Sequence, residues 1–149
     1  MNSLTLRDAV ESDVSAIHDM ANELAVFEDL AHDFVATVVD YRQGIFGPGA
    51  PAHVVIAEVD GEVAGMALYF ETFSTFLGRT GIWLEDLYVR EAFRRRGVAS
   101  ALMNELKHRT NGRLEWEVLD WNEGAIKLYE QTAAEPFTGW KKYRLNPDH

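Results

Sequence analysis

The residues best suited to chemistry lie between positions 84 and 100. Leu84-Glu85-Asp86-Leu87-Tyr88-Val89 is an apolar run broken by two carboxylates, and Arg94-Arg95-Arg96-Gly97-Val98-Ala99-Ser100 follows a few residues later. The pattern predicts a strand that stops, a short basic loop, and a helix that starts at once with Gly97 and Ala99 in its first turn. A helix N-terminus offers unpaired N–H groups and the positive end of the helix dipole. Small residues there let an anion come close to the backbone, and three arginines add positive field. The arrangement suits a pyrophosphate. It is not a nucleoside-triphosphate loop, since G-x-x-x-x-G-K-[ST] is absent, and it lacks the glycines of the dinucleotide fingerprint G-x-G-x-x-G. Taken alone, the segment also fits a solvated basic turn with no ligand.

Other chemistries find less support. The chain has no cysteine, which removes a thiol nucleophile, a disulfide framework and a thiolate metal site. Its five histidines, at 18, 32, 53, 108 and 149, show no H-x-x-x-H or E-x-x-H spacing, so no metal is expected. Trp116 stands between Glu115 and Glu117. An aromatic ring flanked by carboxylates suits an ammonium group, and it equally fits ordinary surface acids on a strand.

The elements that must position these residues can be read from periodicity. Leu4 and Leu6 alternate with polar neighbours, which predicts a short strand over residues 3–8. Ser12 or Asp13 can cap a helix whose apolar face is Val14, Ile17, Ala21 and Leu24. A second helix is expected from Asp33 to about Gln43, and a Gly- and Pro-rich loop from Gly44 to Pro51. His53–Val59 and Glu62 to about Thr72 read as strands joined by the hairpin signal Asp60-Gly61. Phe73–Thr80 reads as a loop and Gly81–Val89 as a strand. The helix after Gly97 buries Val98, Leu102 and Leu106 and ends near Asn111-Gly112. A strand over Arg113–Leu119, a helix from Asn122 to about Thr132, and a closing strand over Trp140–Leu145 complete the chain. The order β-α-α-β-β-β-α-β-α-β implies an α/β fold with a mixed sheet and helices on both faces.

Length and composition bound the rest. With 149 residues, 47% hydrophobic, the chain suits one domain with one core. The start Met1-Asn2-Ser3-Leu4 lacks the apolar stretch of a signal peptide, and no apolar run approaches the ~18 residues of a membrane span, so a soluble cytoplasmic protein is expected. The net charge of −10 disfavours nucleic acid as a partner. That charge is uneven: residues 1–90 carry 15 acids against 4 bases, and residues 91–149 carry 9 against 10. The split fits a cationic substrate met by the first part and an anionic one met by the second, or simply an acidic surface that aids solubility.

Four stretches carry a family resemblance. Arg94-x-x-Gly97-x-Ala99 after an apolar strand resembles the [Q/R]-x-x-G-x-[G/A] signature of the GNAT acetyltransferases. Leu84-Glu85-Asp86-Leu87-Tyr88-Val89, Trp121-Asn122-Glu123-x-Ala125-Ile126-x-x-Tyr129 and Glu23-Leu24-Ala25-Val26-Phe27-Glu28 are similar to motifs of the diamine branch of that superfamily, the spermidine/spermine and thialysine acetyltransferases. The four come in family order. There are departures: Arg95 replaces a common glycine, Ala99 the final glycine, Thr132-Ala133-Ala134 stands where many members have L-G-A, and Phe27 stands where polyamine enzymes often have Tyr. The Phe73–Gly78 loop lacks the acid and Trp that polyamine enzymes carry there.

The resemblance implies acetyl-CoA as co-substrate, held between parallel strands that splay apart, here Leu84–Val89 and Arg113–Leu119. It implies that backbone groups of Leu87, Tyr88 and Val89 meet the pantetheine arm and the acetyl carbonyl. The Arg94 turn, with amides of Arg95, Arg96, Gly97, Val98, Ala99 and Ser100, would hold the pyrophosphate. Asn122, Glu123, Gly124 and Ala125 would add further contacts, with Asn122 also capping its helix. Tyr129 is then the acid near the CoA sulfur, although its spacing from Ala125 and Ile126 would otherwise make it a core aromatic. Acetylation of a small cationic amine also needs a group to take the amine's proton. Glu85 is the candidate, as base through water or as anchor of the cation; the alternative is a solvated edge acid. Strand alternation sends Glu85 and Asp86 to opposite faces unless a bulge intervenes, so Asp86 falls to a structural role. Phe27, Glu28, Glu115, Trp116 and Glu117 are the candidate amine contacts. The branch commonly forms homodimers. A non-catalytic acyl-CoA-binding domain and an acetyltransferase of protein N-termini or lysines are the competing readings.

Overall fold

The computed structural model describes residues 3–147; Met1, Asn2, Asp148 and His149 lie outside them. The chain divides into two compact units, one up to Glu117 and one from Val118 onward.

The first unit is a five-stranded sheet with three helices. Strands β1 (Leu4–Asp8), β2 (His53–Val59), β3 (Glu62–Ser74), β4 (Arg79–Val89) and β5 (Leu114–Trp116) lie side by side in chain order. The first four pair antiparallel, and β4 and β5 pair parallel. The hairpin between β2 and β3 turns at Asp60-Gly61, both with positive φ, as the expected tight turn requires. Alternation along the strands then gives each face its own core. On one face Val54, Ile56, Met66, Leu68 and Tyr88 pack on Ile17, Met20 and Ala21 of α1 (Val14–Phe27). The alternate residues Val55, Ala57 and Ala67 are also fully buried. They belong to the other face, where α3 (Val98–His108) lies against β2, β3 and β4 through Val98, Leu102, Met103 and Leu106. Helices therefore cover both faces of a mixed sheet, as the element order implied.

Several boundaries differ from the sequence reading. Asp13 stands at the start of α1, yet its carboxylate accepts from Val10 N (2.8 Å) and from Arg7 rather than capping the helix. Helix α2 spans Val38–Phe46, not Asp33–Gln43, because Thr37 and Asp40 form a reciprocal capping box five residues into the expected span. The loop expected over Phe73–Thr80 shrinks to a tight turn, since β3 and β4 continue pairing to Ser74 and Arg79. Helix α3 stops at His108, short of Asn111-Gly112.

β5 is much shorter than the expected Arg113–Leu119. It pairs only as Ile82–Leu114, Trp83–Glu115 and Leu84–Trp116. Beyond Leu84 no strand flanks β4 on that side among the described residues, so the parallel pair parts halfway along β4. At its start the pair is drawn together by two glycines. A Cβ on Gly81 would lie 2.5 Å from Arg113 O, and one on Gly112 would meet Thr80 O. Pairing of the two parallel strands is therefore confined to the first half of β4, with glycine at the closed end.

The second unit holds one helix, α4 (Glu123–Glu130). The closing strand expected over Trp140–Leu145 is not formed: residues 133–147 have no regular secondary structure. Trp140 and Leu145 are 78% and 98% exposed. A strand here would put Trp140 on one face and Tyr143 and Leu145 on the other, so the pattern specifies no single buried face. Among the described residues no helix is long and apolar enough to cross a membrane.

Candidate active site

The basic turn is built as its composition suggests. After β4 a short 3-10 turn at Glu91–Phe93 leads to Arg94, Arg95, Arg96 and Gly97, all exposed. Gly97 starts α3 with φ +78, a left-handed conformation that L side chains avoid. Arg95, which replaces the usual glycine, also sits at φ +64. The unpaired N–H groups of the first turn of α3, from Val98 through Ala99 and Ser100, thus open beside an exposed, cationic, strained loop. The charge, the small residues and the helix end fit a pyrophosphate.

The arginines differ in their use. Arg96 lies over the Phe93 ring, 5.8 Å from its centroid. Arg94 turns toward α1: its guanidinium is 5.4 Å from the Phe27 centroid and 5.6 Å from that of Tyr88, and its Nε donates to Val89 O at 2.9 Å. Tyr88 is buried on the α1 face, and its hydroxyl donates to Glu23 Oε1 at 3.1 Å. Burial and that carboxylate raise the phenol above its ordinary range.

The acids of β4 are rearranged by a bulge. Leu84 pairs with Tyr69 and Asp86 with Leu68, which leaves Glu85 as an extra residue. Strict alternation is broken where the sequence placed its two carboxylates, and both end close enough to raise the pKa of Tyr41 on α2. Glu85 is exposed and accepts from Trp83 Nε1 at 3.1 Å. Asp86 lines a cavity of about 220 Å³ with Ala21, Leu24, Glu28, Phe34 and Tyr41. Burial pushes the Asp86 carboxyl up to about 7, with Glu85 and Glu28 adding repulsion. Burial also raises Glu28, and Tyr41 is pushed up to about 12 by burial, Asp86 and Glu85. A carboxyl so raised, in an acid-lined cavity, has the chemistry to hold a cation and to take up a proton.

The expected residues thus fall into groups. Glu28, Glu85 and Asp86 come together, as do Phe27, Tyr88 and Arg94. Phe27 ends α1 and carries the Arg94 guanidinium. Glu115 and Glu117 are exposed and Trp116 is half-buried, with Glu115 opposite Trp83 in the parallel pair. In the second unit, the Asn122 side chain accepts from Ala125 N at 3.2 Å, the cap expected for α4. Glu123 and Gly124 are exposed, and Tyr129 is half-buried on that helix. Sequence reasoning did not place Asp86 in a cavity wall, nor Tyr41, Asp33 and Phe34 beside it. No local pattern marks those three, since a helix and a loop far from β4 bring them in. A larger open depression, about 700 Å³, lies at the other end of β4 and is lined by none of the motif residues.

Comparison with known proteins decides the family. Residues 16–133 match the model of the acetyltransferase (GNAT) family. The chain belongs to that family. Among curated GNAT relatives, it is 38% identical to a thialysine N-epsilon-acetyltransferase of Caenorhabditis elegans, over 93% of this chain and 87% of that one. It is 30% identical to an L-ornithine N5-acetyltransferase of Arabidopsis thaliana, over 96% of this chain and 84% of the relative. These relatives agree with the diamine-branch motifs and make the chain an N-acetyltransferase. Among solved structures, an integron cassette protein from the mobile metagenome of V. cholerae superposes with a TM-score of 0.80 at 21% identity, covering 97% of this chain and 93% of that one. That likeness shows a shared fold.

Proposed function

We propose that the chain transfers acetyl directly from acetyl-CoA to a small primary amine: a diamine, a polyamine or the side-chain amine of an amino acid. The observation that carries this reading is the cavity beneath β4, where Asp86 titrates near neutrality among Glu28, Tyr41 and apolar side chains. An alkyl ammonium has a reference pKa of about 10.4 and must lose a proton before it attacks. Entry of the cation lowers the pKa of Asp86 through charge pairing, while the apolar wall lowers that of the amine. The apolar wall's effect narrows a gap of roughly three units, the charge pairing keeps Asp86 ionised and ready to receive the proton, and Glu85 and Glu28 anchor the cation.

The free amine nitrogen then attacks the thioester carbonyl carbon. Backbone N–H groups along Leu87–Val89, where among the described residues no strand flanks β4 on the β5 side, would stabilise the oxyanion. Collapse breaks the C–S bond; Tyr129 gives the departing thiolate its proton and is restored by the proton that the acetylated nitrogen sheds. Backbone amides of the turn, with Arg95 and Arg96, take the pyrophosphate; Asn122 through Ala125 contact the co-substrate. The role of Tyr129 rests on the Trp121–Tyr129 motif. On the same reading, residues 1–149 act as one acetyltransferase domain in a cytoplasmic homodimer, with neither nucleic acid nor membrane as partner. A monomeric sedimentation coefficient would remove the dimer.

The test is release of CoA thiol from acetyl-CoA with a panel of diamines, polyamines and basic amino acids. Turnover with at least one small amine is expected, and silence across the panel would defeat the proposal. A Tyr129→Phe variant should bind acetyl-CoA normally and lose turnover; unchanged turnover would take Tyr129 out of the acid role.

A further inference from the structure

Two stretches far apart in sequence meet at the Arg94 guanidinium. It lies 5.4 Å from the Phe27 centroid at the end of α1 and 5.6 Å from that of Tyr88 on β4. Its Nε donates to Val89 O at 2.9 Å, where β4 ends. The same two segments are tied again one helical turn back. Glu23 accepts from the Tyr88 hydroxyl at 3.1 Å, and its second oxygen is 3.5 Å from Arg90 Nε. The last two turns of α1 are thus bound to β4 and to the start of the basic turn by one network. The next residue after Phe27 is Glu28, which lines the acceptor cavity with Asp86.

We propose that Arg94 is a positioning residue for the acceptor cavity. Its guanidinium holds the end of α1, and with it Glu28, against β4, and leaves the pyrophosphate to the turn's backbone amides and to Arg95 and Arg96. A planar guanidinium meets two rings and donates from its edge to a carbonyl at once; an ammonium lacks that plane. Reaching a phosphate would require Arg94 to give up both rings and the Val89 carbonyl. Because Arg94 belongs to the turn yet grips α1, any shift of the turn on co-substrate binding is transmitted to Glu28, and the two substrates' affinities are linked. This assignment rests on the acetyl-CoA reading above.

The test compares wild-type protein with Arg94→Gln, Arg94→Lys, Phe27→Leu and Arg96→Ala. CoA dissociation constants come from calorimetry, amine KM and kcat are measured at saturating acetyl-CoA, and a thermal melt reports folding. Arg94→Gln should raise amine KM about tenfold or more while CoA affinity stays within about threefold. Arg94→Lys should not restore the wild-type KM, and Phe27→Leu should raise it in the same sense. Arg96→Ala should weaken CoA instead. Three results overturn the assignment: Arg94→Gln weakens CoA about tenfold with amine KM unmoved, Arg94→Lys behaves as wild type, or Phe27→Leu keeps the wild-type amine KM. The Phe27 arm decides the matter even where Arg94→Gln fails to fold. Failure of the acetyl-CoA reading looks different: the wild-type protein itself would bind no CoA, and the assignment would fall with it.

Discussion

An aspartate that titrates near 7 carries its own signature in both rate and stability. The Asp86 carboxyl is raised by burial first, then by Glu85 and Glu28. If it accepts the amine's proton, kcat/KM rises with pH through about 7 on the acid side, and Asp86→Asn removes that limb with a rate loss of roughly 10²–10⁴-fold. Glu85→Gln keeps the limb but moves it down, because one repulsive charge is gone. A limb that survives in Asp86→Asn and vanishes in Glu85→Gln would reverse the two roles. The linkage to stability has a definite sign. A carboxyl raised in the folded state binds its proton more tightly there, so stability present below about pH 4 is lost as pH rises through about 7. Asp86→Asn should therefore be more stable than wild type at pH 8, by on the order of 2 kcal/mol after discounting for partial solvation, and near parity at pH 4. Arg95 offers a second measurement. Its φ of +64 is a conformation in which a side chain costs roughly 1 kcal/mol. Arg95→Gly should raise the melting temperature by a few degrees, ~4 °C, in a chain of this size. It should also weaken CoA binding modestly through the lost charge. A lower melting temperature would show that the arginine's contacts outweigh its backbone strain.

At the scale of elements, the closed end of the β4–β5 pair is as necessary as the open one. Gly81 and Gly112 let the chain entering β5 approach β4, and Ile82 N donates to Arg113 O at 2.8 Å. Gly81→Ala would press a methyl group against that carbonyl at 2.5 Å. A destabilisation of about 1–3 kcal/mol is expected, with a co-substrate affinity that falls as the strands spread. Chemical denaturation reads the first, and an unchanged midpoint would refute it. How far these elements were legible from sequence follows the range of the forces involved. α1, α3, the Asp60-Gly61 hairpin and the Gly97 helix start are local events, and periodicity and turn chemistry located them within a few residues. The bulge at Glu85 was left open, because it depends on how β3 and β4 register from Leu68 to Tyr69, a match between two strands that neither specifies alone. For the same reason the cavity wall from Tyr41 and Phe34 was invisible. The strand expected at Trp140–Leu145 failed where nothing in the sequence named its partner.

For the whole molecule, charge argues about the acceptor. The three acids lining the cavity, Glu28, Asp33 and Asp86, belong to the first 90 residues, which hold 15 acids against 4 bases. Among the described residues that line the cavity none is Lys, Arg or His. Such a wall favours an ammonium and repels a carboxylate. The relatives named for thialysine and ornithine act on amines that also carry an α-carboxylate, so the comparison can be made within one chain length. For this protein, 1,5-diaminopentane should outperform lysine in kcat/KM by roughly tenfold, the equivalent of about 1.4 kcal/mol, a modest charge repulsion in a partly wet site. Salt supplies the control. The screening length is about 10 Å at 0.1 M and ~3 Å at 1 M, so the advantage of the diamine should shrink as salt rises if it comes from the acidic wall. A preference that ignores salt would place the discrimination in shape rather than charge. A preference for lysine would mean that a cation outside the lining residues receives the carboxylate, and Arg94, whose guanidinium lies over Phe27 next to Glu28, would be the first to replace.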